Sequence, residues 1–113
     1  MSDKDREAII SEWVAAMNKR DTKDYLAHFT TDAVLDDPSV GERFEGHEGI
    51  ADYYTRYFIG YNTTTRVVST APQGSQLHVV VDFTGDFPEG RTSGVFDVSF
   101  TGEKISFVHA DLI

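Results

Sequence analysis

From Asn62 to the C-terminus, apolar and polar residues alternate with period two, and turn residues break the pattern at three places. Residues 63–71, 76–87, 91–101 and 104–113 read as strands. Pro72-Gln73-Gly74, Pro88-Glu89-Gly90 and Gly102-Glu103 read as the turns between them. Strands joined by turns this short must be antiparallel neighbours, because a parallel pair needs a crossover of a dozen residues or so. The second half of the chain is therefore expected to form three successive hairpins, curled into one antiparallel sheet.

The first half carries a different period. Ile9, Ile10, Trp13, Val14 and Met17 share one helix face, and Ser2 with Asp5 resembles a capping box before them. Asp21 or Thr22 can cap a short second helix bearing Tyr25, Leu26 and Phe29. Residues 31–37 read as a short strand ended by Pro38, which lacks an N–H and biases Asp37 to extended geometry. A Gly-rich turn leads to a third helix over residues 47–58, with Ile50, Tyr54, Tyr57 and Phe58 inward and Gly60 as its C-cap. Three N-terminal helices on one face of a curled antiparallel sheet make an α+β fold, in one domain spanning residues 1–113.

Charge and composition narrow the partners. Ten Lys and Arg against 19 Asp and Glu give a net charge of −9, and no segment clusters basic residues with aromatics. Nucleic acid and anionic membrane surfaces are thereby disfavoured. The absence of cysteine excludes disulfides, thiolate catalysis and Cys-ligated zinc. The N-terminal MSDKDREAII lacks an apolar signal core, and no apolar run reaches membrane-spanning length, so a cytoplasmic protein is expected. His28, His47, His78 and His109 are not spaced as a metal pair on one element, so neither a metal nor a cofactor is expected.

Both sheet faces carry apolar residues. Phe96, Val98 and Phe100 alternate with Val95, Asp97 and Ser99, and Val79, Val81 and Phe83 with Val80 and Asp82. One face meets the helices. The other is expected to pair with a second copy, giving a homodimer built on Phe96, Val98 and Phe100 or on their alternating neighbours. The inward parity of the elements is expected to line an apolar pocket with Trp13, Phe29, Tyr54, Val81, Phe83, Asp97 and Phe107, with His109 on the Asp97 face.

Two carboxylates are candidates for chemistry. Asp37, fixed at a strand end opposite an aromatic helix, suits a base, although the local pattern by itself is more often an ordinary acidic turn. Asp97 interrupts the apolar GVFDVSF, where an unpaired charge costs several kcal/mol. It is expected to be protonated, paired or exposed, and if protonated it can donate to a developing oxyanion.

The element order, together with WVAAMNKRD, DDP followed by Val40-Gly41, GHEGIADYY and VFDVSF, resembles the nuclear transport factor 2-like superfamily over nearly the whole chain. The nearest patterns are those of ketosteroid isomerases and the SnoaL-like polyketide cyclases. The resemblance implies a cone-shaped, cystatin-like fold. It implies Asp37 as the general base, Asp97 as the protonated donor of an oxyanion hole, and Tyr54 as the partner of a catalytic tyrosine. That tyrosine position is occupied here by Trp13, whose indole is a far weaker acid than a phenol. The pattern of the related limonene-epoxide hydrolases is broken, because Val80 stands where an arginine is needed.

Two functions follow. One is a cofactor-independent acid/base enzyme moving a proton on a small apolar carbonyl compound. The other is a non-catalytic ligand-binding or dimerising domain of the same fold.

Overall fold

The computed structural model describes residues 6–113, so the capping box expected at Ser2 and Asp5 lies outside the described residues. The chain runs α1 (Arg6–Lys19), α2 (Thr22–Leu26), β1 (Phe29–Asp37), β2 (Glu42–Glu45) and α3 (Gly46–Tyr54). A π-helical turn (Thr55–Ile59) extends α3, and β3 (Thr64–Gln73), β4 (Gln76–Thr84), β5 (Arg91–Thr101) and β6 (Lys104–Leu112) follow. The expected helices and strands are present, with two changes: α2 ends at Leu26, so that Phe29 opens β1, and β4 stops at Thr84, three residues short of Phe87. β2 stands where a Gly-rich turn was expected: Gly41 takes φ +73° and reverses the chain, and four residues then pair back onto β1.

The sheet order is β2-β1-β6-β5-β4-β3. The three hairpins from β3 to β6 are antiparallel as expected, whereas β1 joins the far side of β6 in parallel. That pairing is possible because α3 and the whole hairpin series separate β1 from β6 in sequence. Register shifts at Val67/Ser69, Ser99/Phe100 and Phe29/Val34 bend the sheet into a cone.

The helices fill one mouth of the curl. Trp13, Met17, Tyr25, Ile50 and Tyr54 are buried against Val79, Val81, Phe96 and Val98 of the inner face. Asn18 fastens α1 to the start of β3 like a short strand: its Nδ2 donates to the Thr65 carbonyl at 2.8 Å and its Oδ1 accepts from the Thr65 N–H at 2.8 Å. Asp21 caps α2, accepting from the Asp24 N–H at 3.2 Å. Phe96 and Val98 therefore belong to the core, and the outer face carries their neighbours Val95, Asp97 and Ser99.

The end of α3 departs from the expected C-cap. Gly60 has helical φ −59°, and its N–H reaches back five residues to the Thr55 carbonyl at 2.9 Å. A Cβ there would lie 2.7 Å from the Arg56 carbonyl oxygen, so glycine is needed for space, not for a left-handed backbone. The left-handed residue is Asn62, at φ 53°. The extra residue in the turn changes the direction in which Tyr57 and Phe58 project.

Candidate functional site

Asp37 ends β1 on its inward parity and is only 5% exposed. Pro38 prevents the strand from continuing. The next residues fold into a turn in which Val40 N–H donates to the Asp37 carbonyl at 3.2 Å. The same turn brings Ser39 back to the carboxylate. Asp37 Oδ1 accepts from the Ser39 N–H at 2.9 Å and from its hydroxyl at 2.5 Å. Asp37 Oδ2 accepts from the Tyr53 hydroxyl at 2.8 Å. All three contacts are donations to Asp37, an arrangement that an acceptor-only carboxylate satisfies. Burial and the adjacent Asp37 charge push the Tyr53 phenol well above its ordinary value, so it stays a donor.

This carboxylate lies in the wall of a cavity of about 440 Å³ at the open end of the cone. Tyr53, Tyr57 and Phe58 form one side, and Phe83, Phe96 and Phe87 form the other. The rings meet edge to face: Phe58 and Phe83 have centroids 5.8 Å apart, and Phe83 and Phe96 5.9 Å apart. Gly94 makes room for this packing, because a Cβ there would lie 2.6 Å from Phe83 Cε2. Tyr57 is half-buried, and its hydroxyl has no hydrogen-bond partner among the described residues.

Of the residues expected at the site, Asp37 and Phe83 line the cavity and the others do not. Trp13 is fully buried behind the wall, its ring 5.2 Å from that of Phe96, and its Nε1 has no acceptor among the described residues. Phe29 packs edge-on beneath Trp13, at 5.8 Å, and Val81 is sealed in the core. Tyr54 turns away from Asp37: its hydroxyl donates to the Met17 carbonyl at 2.7 Å and its ring stacks on Tyr25 at 4.0 Å.

Asp97 is placed on the outer face, because Phe96 and Val98 on either side of it point into the core. It is half-buried there, and its Oδ1 lies 2.6 Å from His78 Nδ1. Phe107 and His109 share that face. His109 pairs with Asp97 in register and sits 3.4 Å from Asp36. The cavity thus lies nearer the cone mouth than expected, with the bulk of Trp13 filling the closed end.

Tyr53, Ser39, Tyr57 and Phe87 were absent from the expected lining. The spacing Asp37-Pro38-Ser39 is an Asx-turn signal that points to Ser39. Ile50, Tyr53, Tyr54, Tyr57 and Phe58 form one helical stripe, so periodicity admits both Tyr53 and Tyr54 and cannot choose between them.

Among the described residues there is no group of three potential metal-ligating side chains, and no helix is long and apolar enough to cross a membrane. Among solved structures, the chain is similar to a candidate polyketide cyclase from Sinorhizobium meliloti (TM-score 0.84, 18% identity, covering 97% of this chain and 99% of that one). It is also similar to a candidate ketosteroid isomerase from Kribbella flavida (TM-score 0.82, 18% identity, covering 96% and 77%). A third similar structure is a protein with a ketosteroid isomerase-like fold from Catenulispora acidiphila, in complex with trimethylamine (TM-score 0.80, 17% identity, covering 90% and 82%). At these identities the likeness establishes the fold. No curated protein matches the chain. The SnoaL-like domain family matches residues 10–113, and the chain belongs to that family, within the nuclear transport factor 2-like superfamily.

Proposed function

We propose that the protein is a cofactor-independent acid/base enzyme that moves a proton on a small apolar carbonyl compound, with Asp37 as the base. The observation that carries this reading is a buried carboxylate, oriented by three donors, in the wall of an aromatic cavity. Asp37 takes a proton from the carbon next to the carbonyl and returns it to the far end of the resulting enolate. The enolate oxygen needs a donor. Asp97 and Trp13 lie outside the cavity, and the Ser39, Tyr53 and Thr63 hydroxyls are already donated; we assign the role to the Tyr57 hydroxyl, one helical turn from Tyr53 and half-buried in the wall. The aromatic rings of the wall shield the carbanion from bulk water on the closed side.

Absorbance at the conjugated product of a β,γ-unsaturated ketone tests the reading. Asp37→Asn is expected to lower turnover roughly 10²- to 10⁴-fold, the usual worth of a positioned base. Tyr57→Phe is expected to lower kcat with less change in KM. Equal rates for wild type and Asp37→Asn would end the proposal.

A second reading, a binding domain without catalysis, is favoured by one observation: the acid expected beside Asp37 sits on the opposite face of the sheet. Under either reading the outer face, where Val80, Val95 and Phe107 lie among the polar groups, suits a second copy. Light scattering at micromolar concentration is expected to give twice the chain mass.

A further inference from the structure

The charges around the cavity are one-sided. Its lining holds Asp37, Glu89 and Asp111, and among the described residues no Lys, Arg or His. Glu89 is exposed at the rim. Asp111, by strand parity, turns its side chain to the outer face and contributes its backbone edge. The charge that matters inside is therefore Asp37.

Aspartates this deeply buried are normally paired with a cation. Asp37 makes no ion pair among the described residues, and its three donors are the backbone and hydroxyl of Ser39 and the phenol of Tyr53, all neutral. The guanidinium of Arg56, next to the lining residue Tyr57, is held by Asp52 at 2.8 Å and by Glu42 at 3.3 Å, and that of Arg91, next to Thr92, by Asp82 at 3.1 Å. The Arg56 guanidinium stacks 5.6 Å from the Tyr57 centroid without being part of the lining. The negative charge of Asp37 is thus hydrogen-bonded but not neutralised.

The remaining wall suits a cation as well. Tyr53, Tyr57, Phe58, Phe83, Phe87 and Phe96 are in its lining, and an aromatic ring attracts a cation that lies over its face within about 6 Å of its centroid. An apolar cavity with an uncompensated carboxylate in its wall and six aromatic rings around it favours a ligand whose positive charge is spread over an alkyl surface. We infer that this cavity binds a cationic ligand, an alkylammonium carried on a small apolar frame, with its charge next to Asp37 and its alkyl groups against the rings. This stands on the charge and the wall of the cavity and not on proton transfer, so it holds under either reading above.

The test uses a matched pair of probes of nearly equal shape, (3-hydroxyphenyl)trimethylammonium and the neutral 3-tert-butylphenol, titrated into the full chain by calorimetry. The cation is expected to bind at least about tenfold tighter, which corresponds to about 1.4 kcal/mol. Added salt is expected to weaken the cation only. Asp37→Asn should bring the two affinities together, and Tyr57→Leu should narrow the gap by at least about threefold. Glu89→Gln, at the exposed rim, should weaken the cation by less than Asp37→Asn does. Equal affinities in the wild type, or tighter binding of the neutral probe, would overturn the inference, as would failure of both probes to bind. Ketone isomerisation is measured separately. Turnover without a cation preference rejects this inference and keeps the proposed chemistry, and a cation preference without turnover does the reverse.

Discussion

Replacing Tyr53 by phenylalanine removes one oxygen and leaves its ring in place. The ring packs 5.0 Å from Phe44, 5.4 Å from Tyr57 and 5.7 Å from Phe58, and phenylalanine keeps all three contacts. The loss is the donation to Asp37 Oδ2 at 2.8 Å, between two groups that are 4% and 5% exposed. A hydrogen bond to a charged group is worth about 1.5–3 kcal/mol, and water cannot easily replace it at this depth. Tyr54→Phe is the control. It removes an equally buried hydroxyl, donated at 2.7 Å to a neutral carbonyl of Met17, and is expected to cost about 0.5–1.5 kcal/mol. Urea unfolding followed by Trp13 fluorescence should therefore place the Tyr53→Phe midpoint below that of Tyr54→Phe. In an Asp37→Asn background the same Tyr53 change meets a neutral amide, and its cost should fall by about 1 kcal/mol. A Tyr53→Phe cost within about 0.5 kcal/mol of zero would refute the reasoning, as would an equal cost in both backgrounds.

Three further outcomes follow from the same packing. Burial raises the phenols of Tyr25, Tyr53 and Tyr54, so their neutral forms contribute stability that is fully present below pH 10 and lost as the pH rises above it. Ultraviolet titration should show these three ionising only as circular dichroism reports unfolding. Gly94→Ala puts a Cβ 2.6 Å from Phe83 Cε2 and 3.0 Å from the Asp111 carbonyl oxygen, and is expected to cost about 1–3 kcal/mol in urea while narrowing the cavity for any ligand. Asp97→Asn, on the outer face, should leave probe affinity within about twofold of wild type. A tenfold loss by calorimetry would return Asp97 to the site.

The sequence by itself determined the elements and most of their order. Period-two alternation with Pro and Gly turns is a local signal, and tight turns allow only antiparallel pairing, so β3 to β6 follow from the local pattern alone. The place of Asp37 was legible for the same reason, because Pro38 ends the strand through its own covalent geometry. Other features depend on parts of the chain that meet only in the fold. Which face of β5 turns inward is decided by where α1 lays Trp13, and that choice sends Phe96 into the cavity wall and Asp97 to the opposite side. The alternation is symmetric between the two faces, and only the helices break the symmetry.

The parallel union of β1 with β6 also closes over most of the chain's length, where no local preference reaches. Tyr53 and Tyr54 occupy one helical stripe, and tertiary contacts separate them: one reaches the end of β1, the other the end of α1. The π-helical turn then re-aims Tyr57 and Phe58, a one-residue change in hydrogen-bonding that periodicity does not record. The charge of the cavity was likewise hidden. The chain contains ten Lys and Arg, and only the packing keeps all of those described out of the lining and leaves Asp37 there among neutral donors.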